Sequence, residues 1–213
     1  MRHCGLLGLL TTALPAAAWQ GALVSVDISP TAEQVSSNDI FLGGYGALGF
    51  RDGATLGFAR GVADPIWARA LWVADSAGEA TAIVVLDATG IGNVVRDAIR
   101  EGVAAATGLS AERVLVSATH THCGPDLQGM WGGVSDSYRA TAVQGAVNAV
   151  AWAAGNRTEV ELHVSSLADE TSAALQNNRR GWGFTLNSST VLAIRSVANG
   201  ATIGLMYATH AIG

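Results

Sequence analysis

The sequence predicts an α/β fold in which a mixed, partly parallel sheet carries flanking helices. Three stretches support this. "ATAIVVLDATG" (80–90) is a near-continuous apolar run ending at Asp87, the pattern of a strand covered on both faces. "NVVRDAIREGVAAATG" (93–108) places Val94, Val95, Ala98, Ile99, Val103 and Ala106 at helical spacing, with Gly108 where a helix stops. "RVLVSATH" (113–120) is a second apolar strand. Strand, helix, strand is a βαβ unit, so Asp87 and His120 are expected at the same, carboxyl-terminal end of neighbouring parallel strands.

The other elements follow in chain order. "ALVSVDISP" (22–30) alternates Leu23, Ser25 and Asp27 against Val24, Val26 and Ile28 before Pro30, a short half-buried strand. "FLGGYGALGF" (41–50), with glycines at 43, 44, 46 and 49, is a flexible or tightly turned loop. "DPIWARALWVAD" (64–75) starts after a proline turn and reads as a strand. "DSYRATAVQGAVNAVAWAAG" (136–155) is a second amphipathic helix. Three strands follow: "TEVELHVSSL" (158–167), "STVLAIRSV" (189–197) and "ATIGLMYATH" (201–210).

A chain of 213 residues, 49% of them hydrophobic, is long enough to bury one sizeable core. Twelve basic and seventeen acidic residues give a net charge of −5, with no polybasic run to track phosphates or a membrane surface, which argues against a nucleic-acid partner. Every basic residue is arginine, which excludes a Schiff-base lysine, a lysine general base and the lysine of a phosphate-binding P-loop.

Residues 1–18 have the layout of a secretory signal peptide: Arg2 and His3, an apolar stretch from Cys4 to Leu14, then Pro15 and Ala16 to Ala18. The stretch is too short for a permanent membrane span, no later segment is long and apolar enough, and a secreted, periplasmic or extracellular mature chain of residues 19–213 is expected. That mature chain keeps one cysteine, Cys123, and so cannot close an internal disulfide.

Chemistry concentrates on the histidines. His120, His122 and His210 lie at or just beyond strand ends, and "Ala-Thr-His" occurs twice, at 118–120 and 208–210. Loops at the carboxyl ends of open α/β sheets are where ligands bind, and imidazole nitrogen suits Zn²⁺, whose catalytic sites use about three protein ligands and a water. The plainer reading makes each histidine an ordinary strand-end residue bonded to backbone. His163 lacks such company and reads as a surface or core-edge residue. Asp87 either orients a liganding imidazole from behind or caps the turn "DATG". Tyr207, three residues before His210, reads as core.

"VLVSATHTHCGPD" (114–126) resembles the His-Thr-His-Ser-Gly-Pro motif of the neutral ceramidase family. "VDISP", "LGGYG", "DPIWARAL", "VVLD", "NNRRG" and the second "ATH" fit in order, so the resemblance spans nearly all of residues 19–213, although only the His-Thr-His segment is specific alone. It implies a zinc-dependent hydrolase that splits the amide of ceramide into sphingosine and a fatty acid. It also implies that His120 and His210 ligate zinc, that His122 faces the substrate as the catalytic proton donor, and that Arg179 contacts substrate. Arg180 rivals Arg179, because the register within "NNRRG" is open by one.

Two departures stand out. Cys123 replaces the family's serine, which is either neutral or adds a thiol ligand. The family's glutamate and tyrosine ligands come from sequence downstream of the second "ATH", so the resemblance implies the N-terminal portion of a larger catalytic domain and a weak site in this chain alone. The competing readings are an inactive fragment, a non-ceramide amidase of the same family, and a cysteine hydrolase using Cys123 with His120 or His122 as base.

Overall fold

The computed structural model describes residues 11–13, 19–44, 57–168 and 188–209, and side chains at all of these except 11–13, 167, 168, 188 and 209. The chain divides into two compact units, 21–157 and 1–20 with 158–213.

The larger unit carries β2 (Trp19–Asp27, from Gly21 on), α1 (Ala32–Ser36), β3 (Trp67–Ala74), β4 (Ala80–Leu86), α2 (Asn93–Thr107), β5 (Val114–Ala118) and α3 (Asp136–Gly155). Its strand order is β5-β4-β3-β2. β3 and β4 form an antiparallel hairpin, Ala68 opposite Leu86 and Ala74 opposite Ala80. The Asp75 carboxylate closes its turn, accepting from the N–H groups of Ala77 and Glu79 at 2.9 Å each. α2 crosses over to β5, which runs parallel to β4 with Leu86 beside Ala118. The βαβ unit read from the sequence is therefore present, and Asp87 and His120 leave the sheet at one end of paired parallel strands.

The apolar run of β4, expected to be covered on both faces, is buried on one, at Ala80, Ala82, Val84 and Leu86, and half-buried on the other, at Thr81, Ile83 and Val85. The apolar face of α2 is narrower than expected. Val95, Ile99 and Val103 are buried at i, i+4 and i+8, while Val94 is 69% exposed and Ala106 is also exposed. The reason is close approach of α3. A Cβ on Gly102 would lie 2.6 Å from Val147 Cγ2, so the two helices meet along one stripe. α2 ends at Gly108, whose φ of 75° is the left-handed stop the sequence suggested. α3 is less one-sided than an amphipathic helix, with nine buried residues that include Tyr138, Gly145, Ala146, Ala149, Val150 and Ala153. It packs on α2 and on β3 and β4, and small side chains suit a helix covered from two directions.

α1 has no counterpart in the sequence reading. Thr31 caps it in a reciprocal capping box with Gln34, at 3.2 and 3.0 Å, which the spacing Thr-x-x-Gln announces.

The smaller unit is antiparallel. β1 (Thr11–Ala13) pairs with β6 (Thr158–Ala168), β6 with β7 (Ser188–Ser196), and β7 with β8 (Thr202–Thr209) through a turn at Gly200, φ 67°. β1 lies within the segment read as a signal peptide. His163 is half-buried and meets Glu161 at 3.1 Å. Tyr207 is not core: it is 59% exposed, with its hydroxyl 2.9 Å from Ser189 Oγ. Ile203, Leu205 and Tyr207 share an exposed face of β8, at the end of the strand order among the described residues. Among the described residues no helix is long and apolar enough to cross a membrane.

Candidate active site

The segment Thr119 to Pro125 leaves β5 and folds back over the carboxyl end of β4. Backbone hydrogen bonds to the segment 41–43 set its path. Gly43 N–H donates to the Gly124 carbonyl at 3.1 Å, and Asp126 N–H donates to the Phe41 carbonyl at 2.8 Å. On the other side of Ile40 to Leu42, Leu42 N–H donates to Gly57 at 2.6 Å and Ala59 N–H to Ile40 at 2.8 Å. The glycines of "FLGG" thus have a placed role. A Cβ on Gly44, whose φ of 88° already favours glycine, would collide with Nδ1 of His122.

His120 has φ 62°, a left-handed conformation rare for a residue with a side chain and concentrated at functional positions. Its Nδ1 lies 2.6 Å from the Thr89 carbonyl oxygen. A carbonyl only accepts, so Nδ1 carries the proton and Nε2 is the ring nitrogen left for another partner. Thr89 is buried, and its hydroxyl donates to the Thr121 carbonyl at 3.0 Å, so one residue of the β4–α2 loop holds two points of the His-Thr-His turn. The rings of His120 and His122 meet edge to face, centroids 5.2 Å apart. Successive strand residues of this spacing would share a face, but here the backbone has already turned.

The contact for which the sequence offered Asp87 is made by the Thr89 carbonyl. Asp87 faces β3 instead, accepting from Arg69 Nη1 at 2.7 Å and from Trp67 N–H at 3.0 Å. Asp126 went unnoticed in the sequence. Its carboxylate, 1% exposed, accepts from the N–H groups of Gln128, Gly129, Trp131 and Gly133 at 3.2, 3.1, 2.5 and 3.0 Å. An aspartate followed by a glycine-rich stretch was the available signal. Cys123 is exposed and in no disulfide, and its N–H donates to Thr121 Oγ1 at 3.2 Å.

A cavity of about 610 Å³ opens beside the turn. His122, Thr121, Cys123 and Asp87 line one side, and Ile40, Leu42, Val62, Ile66 and Pro125 supply apolar wall. His122, half-buried, lines this cavity. His210, Arg179 and Arg180 lie outside the described residues. Among the described residues no group of three or more His, Cys, Asp or Glu is placed to hold a metal ion. The donor chemistry at His120 still fits zinc, because the Thr89 contact is the carbonyl partner that liganding imidazoles use to fix tautomer and ring orientation.

No protein-family model and no curated protein matches the sequence. Solved structures that match the fold include two ceramidases. A crystal structure of neutral ceramidase from Pseudomonas aeruginosa superimposes with a TM-score of 0.68 at 20% identity, over 90% of this chain and 31% of that one. A ceramidase complexed with C2 matches at the same TM-score, 21% identity and the same coverage. The chain thus spans 31% of the length of the structures it resembles, and at these identities the likeness is one of fold.

Proposed function

We propose that the chain supplies part of a zinc-dependent amide hydrolase acting on ceramide, releasing sphingosine and a fatty acid. The observation that carries this reading is His120, in a left-handed conformation at the end of a parallel strand with Nδ1 tied to the Thr89 carbonyl. Its Nε2 is then the natural zinc donor, with His210 as a second. The fold it shares with two ceramidase structures adds support. Bound zinc supplies Lewis-acid polarisation of an amide carbonyl and acidifies water. The chain's own residues do the rest. His122 faces the cavity and delivers a proton to the leaving nitrogen, a task suited to an imidazole near neutral pH. The apolar wall of Ile40, Leu42, Val62 and Ile66 takes up hydrocarbon and keeps water from the amide. Arg179, or Arg180 in the other register, contacts the substrate's polar groups. Removal of residues 1–18 would put this chemistry outside the cytoplasm, and a mature N-terminus at Trp19 in exported protein is the check.

The test compares zinc content and sphingosine release in a longer, active form that extends the chain through the downstream ligands the resemblance implies, and in its His120→Ala and Arg179→Ala variants. His120→Ala should weaken zinc binding at least about tenfold, while Arg179→Ala keeps zinc and loses turnover. Equal zinc in wild type and His120→Ala, or equal loss in both variants, contradicts the assignment.

A further inference from the structure

A second cavity of the larger unit, about 640 Å³, shares a wall with the one beside His122. Arg60, Gly61 and Val62 line both, and Ala32, Val35 and Phe58 belong to the second. Eight arginines fall among the described residues, and seven have a polar partner. Arg69, Arg96, Arg113 and Arg139 pair with carboxylates. Arg100, Arg157 and Arg195 bond backbone carbonyls. Arg60 alone has neither kind of partner: it is exposed, with its guanidinium carbon 5.9 Å from the centre of the Phe58 ring.

A guanidinium held against a ring face keeps its in-plane N–H groups available, and two of them match the two oxygens of a carboxylate. The charges around it favour one side. The cavity beside His122 carries Asp64 and the Arg69-bound Asp87, whereas Arg60 is the one charged residue lining the second cavity. A cation with no charged partner, lining a cleft whose other residues are apolar or, as Ser36 and Asn38, polar and uncharged, and of a size usual for small-molecule sites, selects an anionic amphiphile.

We propose that the second cavity binds a free fatty acid, with its carboxylate on Arg60 and its chain along Ala32, Val35, Phe58 and Val62. Hydrolysis of an N-acyl amide releases such an acid, so the site would hold that product one wall away from where it forms. The inference goes beyond the proposed hydrolysis and is read without zinc or turnover, so either can fail while the other stands.

Calorimetric titration of the wild-type chain with decanoate, decanol and decyltrimethylammonium tests it. Decanoate should saturate and bind at least about tenfold tighter than decanol, the factor a charge-assisted pair brings. The cation should bind weakest. Arg60→Gln should abolish the advantage of decanoate and Arg60→Lys retain part of it. Val35→Glu, which sets a negative charge in the cleft and leaves Arg60 in place, should also weaken decanoate. Equal binding of decanoate and decanol, an unchanged Arg60→Gln, or binding that never saturates would overturn the proposal.

Discussion

Single residues in this chain act mainly through backbone groups far away in sequence. Tyr138, on the first turn of α3, is buried and donates its hydroxyl to the Ile28 carbonyl at 3.0 Å. Burial pushes its pKa well above the ordinary tyrosine value, and the nearby Asp27 carboxylate adds to the rise. The folded chain therefore holds this proton to higher pH than the unfolded chain does. The sign follows: the stability tied to neutral Tyr138 is complete below about pH 10, where free tyrosine titrates, and is lost as pH climbs toward the raised folded value. Tyr138→Phe should cost about 1–3 kcal/mol near neutral pH, because it leaves the Ile28 carbonyl buried without a donor. It should also flatten the alkaline loss. Urea unfolding at neutral pH and above about pH 10 reads both effects, and a variant that loses stability with pH as steeply as wild type would place the titrating group elsewhere.

At the scale of an element, α2 shows how a periodic pattern overstates a face. Six apolar positions at helical spacing predict a broad stripe, but only Val95, Ile99 and Val103 are buried, with Val147 of α3 close above Gly102. Two substitutions of like chemistry should then part company. Ile99→Ala, at a fully buried position, should cost about 2–5 kcal/mol through lost transfer energy and a cavity. Val94→Ala, at a position 69% exposed, should stay within about 0.5 kcal/mol of wild type. Chemical denaturation of the two variants measures the contrast, and equal costs would mean that α2 buries the wider face.

For the whole molecule, the exposed apolar surface of β8 matters most. Ile203, Leu205 and Tyr207 are 39%, 62% and 59% exposed on one face of a strand that, among the described residues, pairs only with β7. Such an end strand is a template for pairing with another chain, and an inserted charge discourages it. Leu205→Lys should raise the concentration at which the protein stays monodisperse while leaving its melting temperature within a few degrees of wild type, as light scattering and thermal melts would show. No gain in solubility would mean that association runs through another surface.

Much of this organisation was legible in order along the chain. The alternation of "ALVSVDISP", the apolar run before Asp87 and the helical spacing of 93–108 are local properties of a polymer with periods of two and 3.6, so β2, β4, α2 and β5 lie where the pattern put them. α1 was legible too, in Thr-x-x-Gln, and was passed over because five residues leave no periodicity to count. His120 and His122 drew notice in the sequence because strand ends are visible and because "Ala-Thr-His" repeats. How they are held was not legible. The Thr89 carbonyl on His120, Gly44 beneath His122, the four N–H groups on Asp126 and the turn of Asp87 toward Arg69 depend on backbone atoms that carry no residue identity or on contacts across tens of positions. The exposure of Tyr207 has the same origin: sequence determines which side chains share a face of a strand, and only the packing of the folded chain decides whether anything covers that face.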